Sequence, residues 1–147
     1  MDEHDPYRLS RFEAAQAHDY ERALAEIRAG RKQTHWMWYV FPQFAGLGFS
    51  PTSQHYAITS LAEARAYLEH PILGPRLIES CEVLVAVEGR TAREILGTPD
   101  DMKLRSCATL FAQVAPPGSV FERILQAYFD SEADPRTLDL IRESMTR

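Results

Sequence analysis

Cysteine is scarce in this chain, and long apolar runs are absent. Its two cysteines, Cys81 and Cys107, fall on the apolar phases of predicted helices, which favours buried free thiols over a disulfide. Neither has a neighbouring metal ligand at zinc-finger spacing, so no metal site is expected. The longest apolar runs, LVAV and WMWYVF, are far shorter than the ~20 residues of a membrane-spanning helix. We therefore expect no metal, no cofactor and no membrane partner.

Positive charge is not in excess either. The formal net charge of the 147 residues is −5, which argues against nucleic-acid binding and against attraction to an anionic membrane.

The opening stretch MDEHDPYRLS has neither the basic region nor the apolar core of a secretory signal, so a cytoplasmic location is expected. The composition, 45% apolar and 25% charged, is that of a globular protein. The length predicts a single domain over residues 1–147, in which residues 1–5 form a flexible terminus.

What the sequence has instead is helical periodicity. Apolar residues recur at three- and four-residue spacing in several segments that end near a glycine or a proline. The clearest such face consists of Tyr20, Ala23, Leu24 and Ile27. A less regular first helix is expected near residues 6–16, and no alternating strand pattern exceeds three or four residues. The sequence predicts an all-α fold, a compact bundle of about six to eight helices with one irregular loop rich in aromatic residues and glycine.

Helix starts are marked by capping motifs. The segments SLAE, TARE and SVFE, which begin at Ser60, Thr91 and Ser119, fit the capping-box pattern of a hydroxyl followed three residues later by glutamate. Three further cap residues, Asp5, Thr98 and Asp134, stand directly before a proline. Proline suits the first helical position because its missing N–H would have no partner there. These motifs predict six helix starts.

One segment is unusually rich in aromatic residues. Seven of the fifteen aromatic residues lie between Trp36 and Tyr56. One interpretation is that this segment crosses the core, since aromatic side chains bury large areas. The other is a ligand pocket, because polar side chains interleave with the rings and the loop GLGFSPTS could offer backbone N–H groups. The glycines of that loop match neither a P-loop nor a dinucleotide fingerprint.

A second polar cluster is DDMKLRSCATLF, residues 100–111. On a helix, Lys103 and Ser106 lie close to one line. One interpretation is that Asp100 and Asp101 favour the helix N-terminus and that Lys103 is solvated. The alternative places Asp101 and Lys103 at the rim of the aromatic pocket, where they could orient or activate a polar ligand. Of the histidines, His35 is the best functional candidate, because it stands beside the tryptophans.

The pocket hypothesis therefore names two sets of residues. The candidate catalytic residues are His35, Asp101 and Lys103. The candidate ligand-binding residues are Lys32, Trp36, Trp38, Gln43, Gly46, Gly48, Ser50, Ser53, Tyr56 and Ser106. In this hypothesis the two indoles stack on a planar group and the glycine loop donates backbone hydrogen bonds.

Three motifs carry a resemblance to a known family. The segments KQTHWMWYVFPQFAGLGFSPTSQHYAI, EARAYLEHPILGPRL and DDMKLRSCATLF are similar to those of bacterial proteins that carry the domain of unknown function 1810 (DUF1810). The likeness runs from about Phe12 to the last predicted helix. It implies a small, mainly α-helical fold. It implies no activity, because the family has no settled one.

A fainter likeness concerns the order of the polar motifs. An aromatic-rich loop, the SQHY segment that ends at Tyr56, and a later Asp-x-Lys are somewhat similar to NADAR-type proteins, which act on N-glycosidic bonds of ADP-ribose-like compounds. The motifs do not align residue for residue, so this likeness implies a class of ligand and no catalytic residue.

Two functions follow as hypotheses. The first is a small-molecule pocket that binds or hydrolyses a nucleotide-like or ADP-ribose-like ligand. The alternative is a non-enzymatic protein-interaction module that uses the aromatic loop as an anchor for a partner not identified by the sequence. Solvent exposure separates them, because indoles on a convex surface favour a partner and indoles that line a concavity favour a ligand. Rings that are wholly buried would support neither function.

Overall fold

The computed structural model describes residues 5–146. Within that range the chain forms nine α-helices and no β-strand, and this confirms the all-α fold. The helices are α1 (Ser10–Arg28), α2 (Met37–Val40), α3 (Pro51–His55), α4 (Leu61–Glu69), α5 (Leu73–Val85), α6 (Ala92–Leu96), α7 (Asp100–Ala112), α8 (Val120–Tyr128) and α9 (Pro135–Met145). Three of them, α2, α3 and α6, have only four or five residues. Segments this short give no periodic signal, so the sequence predicts fewer helices. Of these three, only α6 is predicted, by the capping motif at Thr91.

The first helix begins later and runs longer than expected. The sequence predicts a start at Pro6, yet α1 begins at Ser10 and continues for 19 residues. The Asp5 carboxylate instead accepts a hydrogen bond from the backbone N–H of Leu9 at 2.6 Å. Arg8 between them has a positive φ of 53°, a left-handed conformation that an α-helix does not contain. The two segments predicted for this region form one uninterrupted helix.

The predicted capping boxes all begin helices, but only one of them is reciprocal. The hydroxyls of Ser60, Thr91 and Ser119 each accept a hydrogen bond from the backbone N–H three residues later. At Thr91 the Glu94 carboxylate also accepts from the backbone N–H of Thr91, which completes the box. At Ser60 the Glu63 carboxylate reaches one residue further back, to the backbone N–H of Thr59 at 2.9 Å. In both arrangements an otherwise unpaired N–H is satisfied.

Helix α5 lies at the centre of the bundle, where it packs against α1, α4 and α8. Leu77, Cys81 and Leu84 form part of its fully buried face. The approach of α4 to α5 requires a glycine, because a Cβ on Gly74 would lie 2.1 Å from the backbone oxygen of Leu68. Both cysteines are buried and free, as the sequence predicts.

The aromatic segment connects α1 to α4 along an irregular path. After the single turn of α2, Phe44 pairs with Ile58 in an isolated parallel β-bridge. The backbone N–H of Ile58 donates to the carbonyl of Gln43 at 2.9 Å, and that of Ala45 donates to the carbonyl of Ile58 at 2.8 Å. Phe41 and Phe44 are buried in the core. Part of the segment therefore does cross the core, whereas Trp38 faces Lys103 of α7.

Candidate functional site

The chain contains two lysines and two tryptophans, and all four meet at one place. Lys32 Nζ lies 2.9 Å from Asp100 Oδ2, and Lys103 Nζ lies 3.0 Å from Asp100 Oδ1. Each ammonium also lies over an indole: Lys32 Nζ is 5.1 Å from the ring centroid of Trp36, and Lys103 Nζ is 4.4 Å from that of Trp38. These separations are those of cation–π contacts. We call Lys32, Asp100, Lys103 and Trp38 the lysine–tryptophan cluster.

Two local features of the backbone bring the lysines together. Helix α1 ends at Arg28, and Gly30, with a φ of 75°, turns the chain two residues later. The backbone N–H of Lys32 then donates to the carbonyl of Ile95 at 2.6 Å. Lys32 is thereby fixed beside the start of α7. Asp100 is the first residue of α7 and Lys103 stands three positions later, a spacing that places two side chains on the same face of a helix.

The cluster carries a net positive charge. Burial alone would raise the pKa of the Asp100 carboxyl, but hydrogen bonds from Lys32 and Lys103 lower that pKa below its ordinary value. Asp100 is therefore ionised at neutral pH, and two ammonium groups share one carboxylate. The side chain of Lys32 is 8% exposed and that of Lys103 is 22% exposed. Lys103 is thus the cation that a ligand can reach more easily.

The cluster forms one wall of a first hollow of about 290 Å³. His35, Ser50 and Thr52 also line it, and all three are exposed. Ser50 is the N-cap of α3, where its Oγ accepts from the backbone N–H of Ser53 at 3.1 Å. The first hollow therefore combines two cations, an imidazole and two hydroxyls with an indole surface, a set of groups suited to an anion attached to a planar body.

A second hollow, of about 330 Å³, adjoins the first. Trp38 and Lys103 line both of them, so these two side chains stand at the boundary. The rest of its wall is mostly apolar and includes Leu47, Gly48, Pro99 and Met102, with Gln43, Ser106, Asp134 and Arg136 as its polar members. Gly48 is needed here, because a Cβ at that position would lie 2.8 Å from Cη2 of Trp38 and 2.6 Å from Ser53.

The two tryptophans have different roles. Trp36 is 1% exposed, and its indole N–H donates to Glu26 Oε1 at 2.9 Å. Burial alone would raise the pKa of Glu26, but hydrogen bonds from the backbone of Gln33 and from the side chains of Thr34 and Trp36 lower it to about 2. Trp36 therefore belongs to the core together with a permanently charged acceptor. Trp38 is only half-buried and offers its ring to both hollows.

Four of the predicted site residues lie outside both hollows: Gly46, Ser53, Tyr56 and Asp101. Asp101 belongs to the start of α7, where its carboxylate accepts from Thr98 Oγ1 at 2.7 Å. Tyr56 packs against the ring of Tyr39, with the ring centroids 5.2 Å apart. Gly46, with a φ of 103°, lies beside Leu140 at a separate cavity. The structure therefore gives these four residues structural surroundings outside the two hollows.

The other predicted residues do come together. Lys32, His35, Trp36, Trp38, Ser50 and Lys103 line the first hollow, and Trp38, Gln43, Gly48, Lys103 and Ser106 line the second. The walls also contain residues that are not among the predicted ones, and Asp100 and Arg136 are two charged examples. The spacing of Asp100 and Lys103 could have indicated their ion pair, whereas no sequence signal links Arg136, at the start of α9, to this region.

The part of the chain that the structure describes also lacks two other kinds of feature. No three histidine, cysteine, aspartate or glutamate side chains in residues 5–146 are grouped so that they could hold a metal ion. None of the helices in that range has the length and apolar character needed to cross a bilayer.

Comparison with known proteins identifies the family. Residues 6–141 match the family described as "Protein of unknown function (DUF1810)". The chain belongs to the DUF1810 family. This DUF1810 chain is also similar to the crystal structure of the conserved hypothetical protein Rv1873 from Mycobacterium tuberculosis, with 48% sequence identity and a TM-score of 0.92 over 94% of this chain and 99% of that chain. No curated protein matches it. The resemblance of the sequence motifs to those of DUF1810 proteins is thereby confirmed.

Proposed function

We propose that this DUF1810 protein binds a small anionic ligand of the nucleotide type at the lysine–tryptophan cluster. The observation that carries the proposal is the convergence of both lysines of the chain on one carboxylate beside a half-exposed indole. A surface ion pair would need only one lysine. The second leaves a net positive charge in a concave, partly apolar setting, and oxyanions are the ligands that such a setting attracts.

The groups around the cluster fit a phosphate-bearing ligand. Lys103 Nζ and Lys32 Nζ supply charged donors, and the exposed residues Ser50 and Thr52 also line the first hollow. Trp38 supplies an apolar face for a planar group. Of the predicted catalytic residues, His35 and Lys103 line this hollow, so hydrolysis of the bound ligand, as the sequence suggests, would depend on these two side chains.

Tryptophan fluorescence tests this proposal, since the chain has only two tryptophans. We expect titration with adenosine 5′-monophosphate, ADP-ribose or NAD to change the emission in a saturable way and to raise the melting temperature. The Trp38→Phe variant, which keeps only the buried Trp36, should show no change in emission. Chromatography of the ligand after incubation tells whether it is only bound or also cleaved. The proposal fails if none of these compounds, nor inorganic phosphate, alters emission or melting temperature.

One observation supports the alternative function, a protein-interaction module. Phe49, on the loop before α3, is 84% exposed, and an exposed ring can anchor a partner. Single exposed apolar side chains are nevertheless common on soluble proteins. We therefore favour the ligand, and a negative result in every titration would leave the interaction module as the better hypothesis.

A further inference from the structure

The second hollow contains a buried amide group with an unused hydrogen-bond donor. Gln43 is only 3% exposed and lines this hollow. Its backbone carbonyl accepts from Ile58, but its side-chain Nε2 has no hydrogen-bond partner. Among the buried side-chain polar atoms of residues 5–146, this is the single one without a partner. Because buried polar groups are nearly always paired, such an atom points to a partner that the protein alone does not supply.

The surroundings of Gln43 are suited to a flat, mainly apolar body. Trp38, Leu47, Pro99 and Met102 supply most of the wall. The other polar neighbours are already engaged: Asp134 caps α9 by accepting from the backbone N–H of Thr137 at 3.0 Å and also accepts from Ser106 Oγ at 3.2 Å. Arg136, which is exposed at the same hollow, has a planar guanidinium that can stack on an aromatic ring.

The two hollows can accept two parts of one molecule. Trp38 and Lys103 line both of them, so a ligand that occupies both passes directly beside the indole and the ammonium. The first hollow holds the charged and hydroxyl groups, whereas the second is mostly apolar. This division of charge matches a ligand with an anionic end and an uncharged planar end.

We infer that the second hollow holds the planar ring of the same ligand, and that the Gln43 amide selects rings with an exposed carbonyl oxygen or ring nitrogen. The ligand class is therefore a heteroaromatic ring joined to a phosphate, as in a nucleoside monophosphate. This inference rests on the proposed function, which places the anionic group of the ligand at the lysine–tryptophan cluster and makes no claim about the second hollow or Gln43. Gln43 is then a specificity-determining residue, because its N–H can satisfy an acceptor on the ring.

Calorimetric titration with two probes tests the inference. Adenosine 5′-monophosphate carries both the phosphate and the ring, whereas ribose 5-phosphate lacks the ring. We expect the unaltered protein to bind the nucleotide at least about tenfold more tightly than it binds ribose 5-phosphate. The Gln43→Leu variant, which keeps the volume and loses the donor, should lose about tenfold in affinity for the nucleotide and none for ribose 5-phosphate. Gln126→Leu, an exposed glutamine on α8, is the matched control and should bind both probes as the unaltered protein does.

The Gln43→Leu variant should fold normally, because it removes a donor that has no partner in the protein. Its melting temperature without ligand should be equal to that of the unaltered protein or higher. The inference is overturned if the unaltered protein binds the nucleotide no more tightly than ribose 5-phosphate, or if Gln43→Leu weakens both probes equally. In either case binding of ribose 5-phosphate still upholds the anion site at the lysine–tryptophan cluster, on which the proposed function rests. Failure of both probes to bind would overturn the proposed function, and the inference with it.

Discussion

Replacing Lys103 with methionine is expected to weaken binding of adenosine 5′-monophosphate by about ten- to a hundredfold. Lys103 lines both hollows and is the more exposed of the two lysines. A hydrogen bond to a charged group contributes about 1.5–3 kcal/mol, which corresponds to this loss of affinity. Methionine keeps an apolar stem over Trp38, so the free energy of unfolding should change little. Calorimetric titration and urea denaturation measure the two quantities.

The Asp100→Asn variant should act in the opposite direction and is the control for an electrostatic effect. It removes the negative charge that both lysines share, so the charge of the cluster rises from one to two. We expect binding of the nucleotide to become stronger, by roughly threefold or more, and to become more sensitive to salt. If Asp100→Asn weakens binding as much as Lys103→Met, the cluster acts by holding side chains in place, and its charge does not attract the ligand.

Replacing Trp36 with alanine is expected to lower the free energy of unfolding by about 3–5 kcal/mol, which is the usual range for removing a large buried aromatic side chain. The change also removes the indole N–H that donates to Glu26. That carboxylate then lies partly buried with one hydrogen bond fewer, which adds to the loss. Urea denaturation measures the effect.

Trp38→Ala is the matched comparison, because the same change is made two residues away at a half-exposed position. We expect it to reduce stability by much less than Trp36→Ala and to reduce nucleotide binding strongly. Equal losses of stability in the two variants would contradict the distinction between a core indole and a pocket indole.

The fold could be predicted from the sequence because its signals are local. The capping hydroxyls at Ser60, Thr91 and Ser119 all begin helices as expected, since a cap depends only on a few neighbouring residues. The predicted helix start at Pro6 is wrong, because Arg8 has a positive φ that an α-helix does not contain. An arginine gives no sequence signal for that conformation.

The candidate site could be predicted only in outline. The pocket hypothesis places side chains near residue 35 and residue 103 together, and Lys103 does lie over Trp38, but the sequence does not distinguish the two indoles. Trp36 precedes the single turn of α2, and Trp38 lies within it. Residues two positions apart in such a turn do not face the same way, and which of them enters the core depends on Glu26 and the packing of α1. The shared carboxylate of Asp100 also depends on tertiary structure, because Lys32 approaches it from the end of another helix.

Nuclear magnetic resonance of the two lysines tests the central claim most directly. Since the chain has only two lysines, protein prepared with isotope-labelled lysine gives two assignable side-chain signals. On addition of adenosine 5′-monophosphate, both signals should shift in a saturable way with a common dissociation constant, and inorganic phosphate should shift them in the same direction with lower affinity. Two signals that stay unchanged, while the ligand is present at concentrations that raise the melting temperature, would show that it binds elsewhere and would contradict the account.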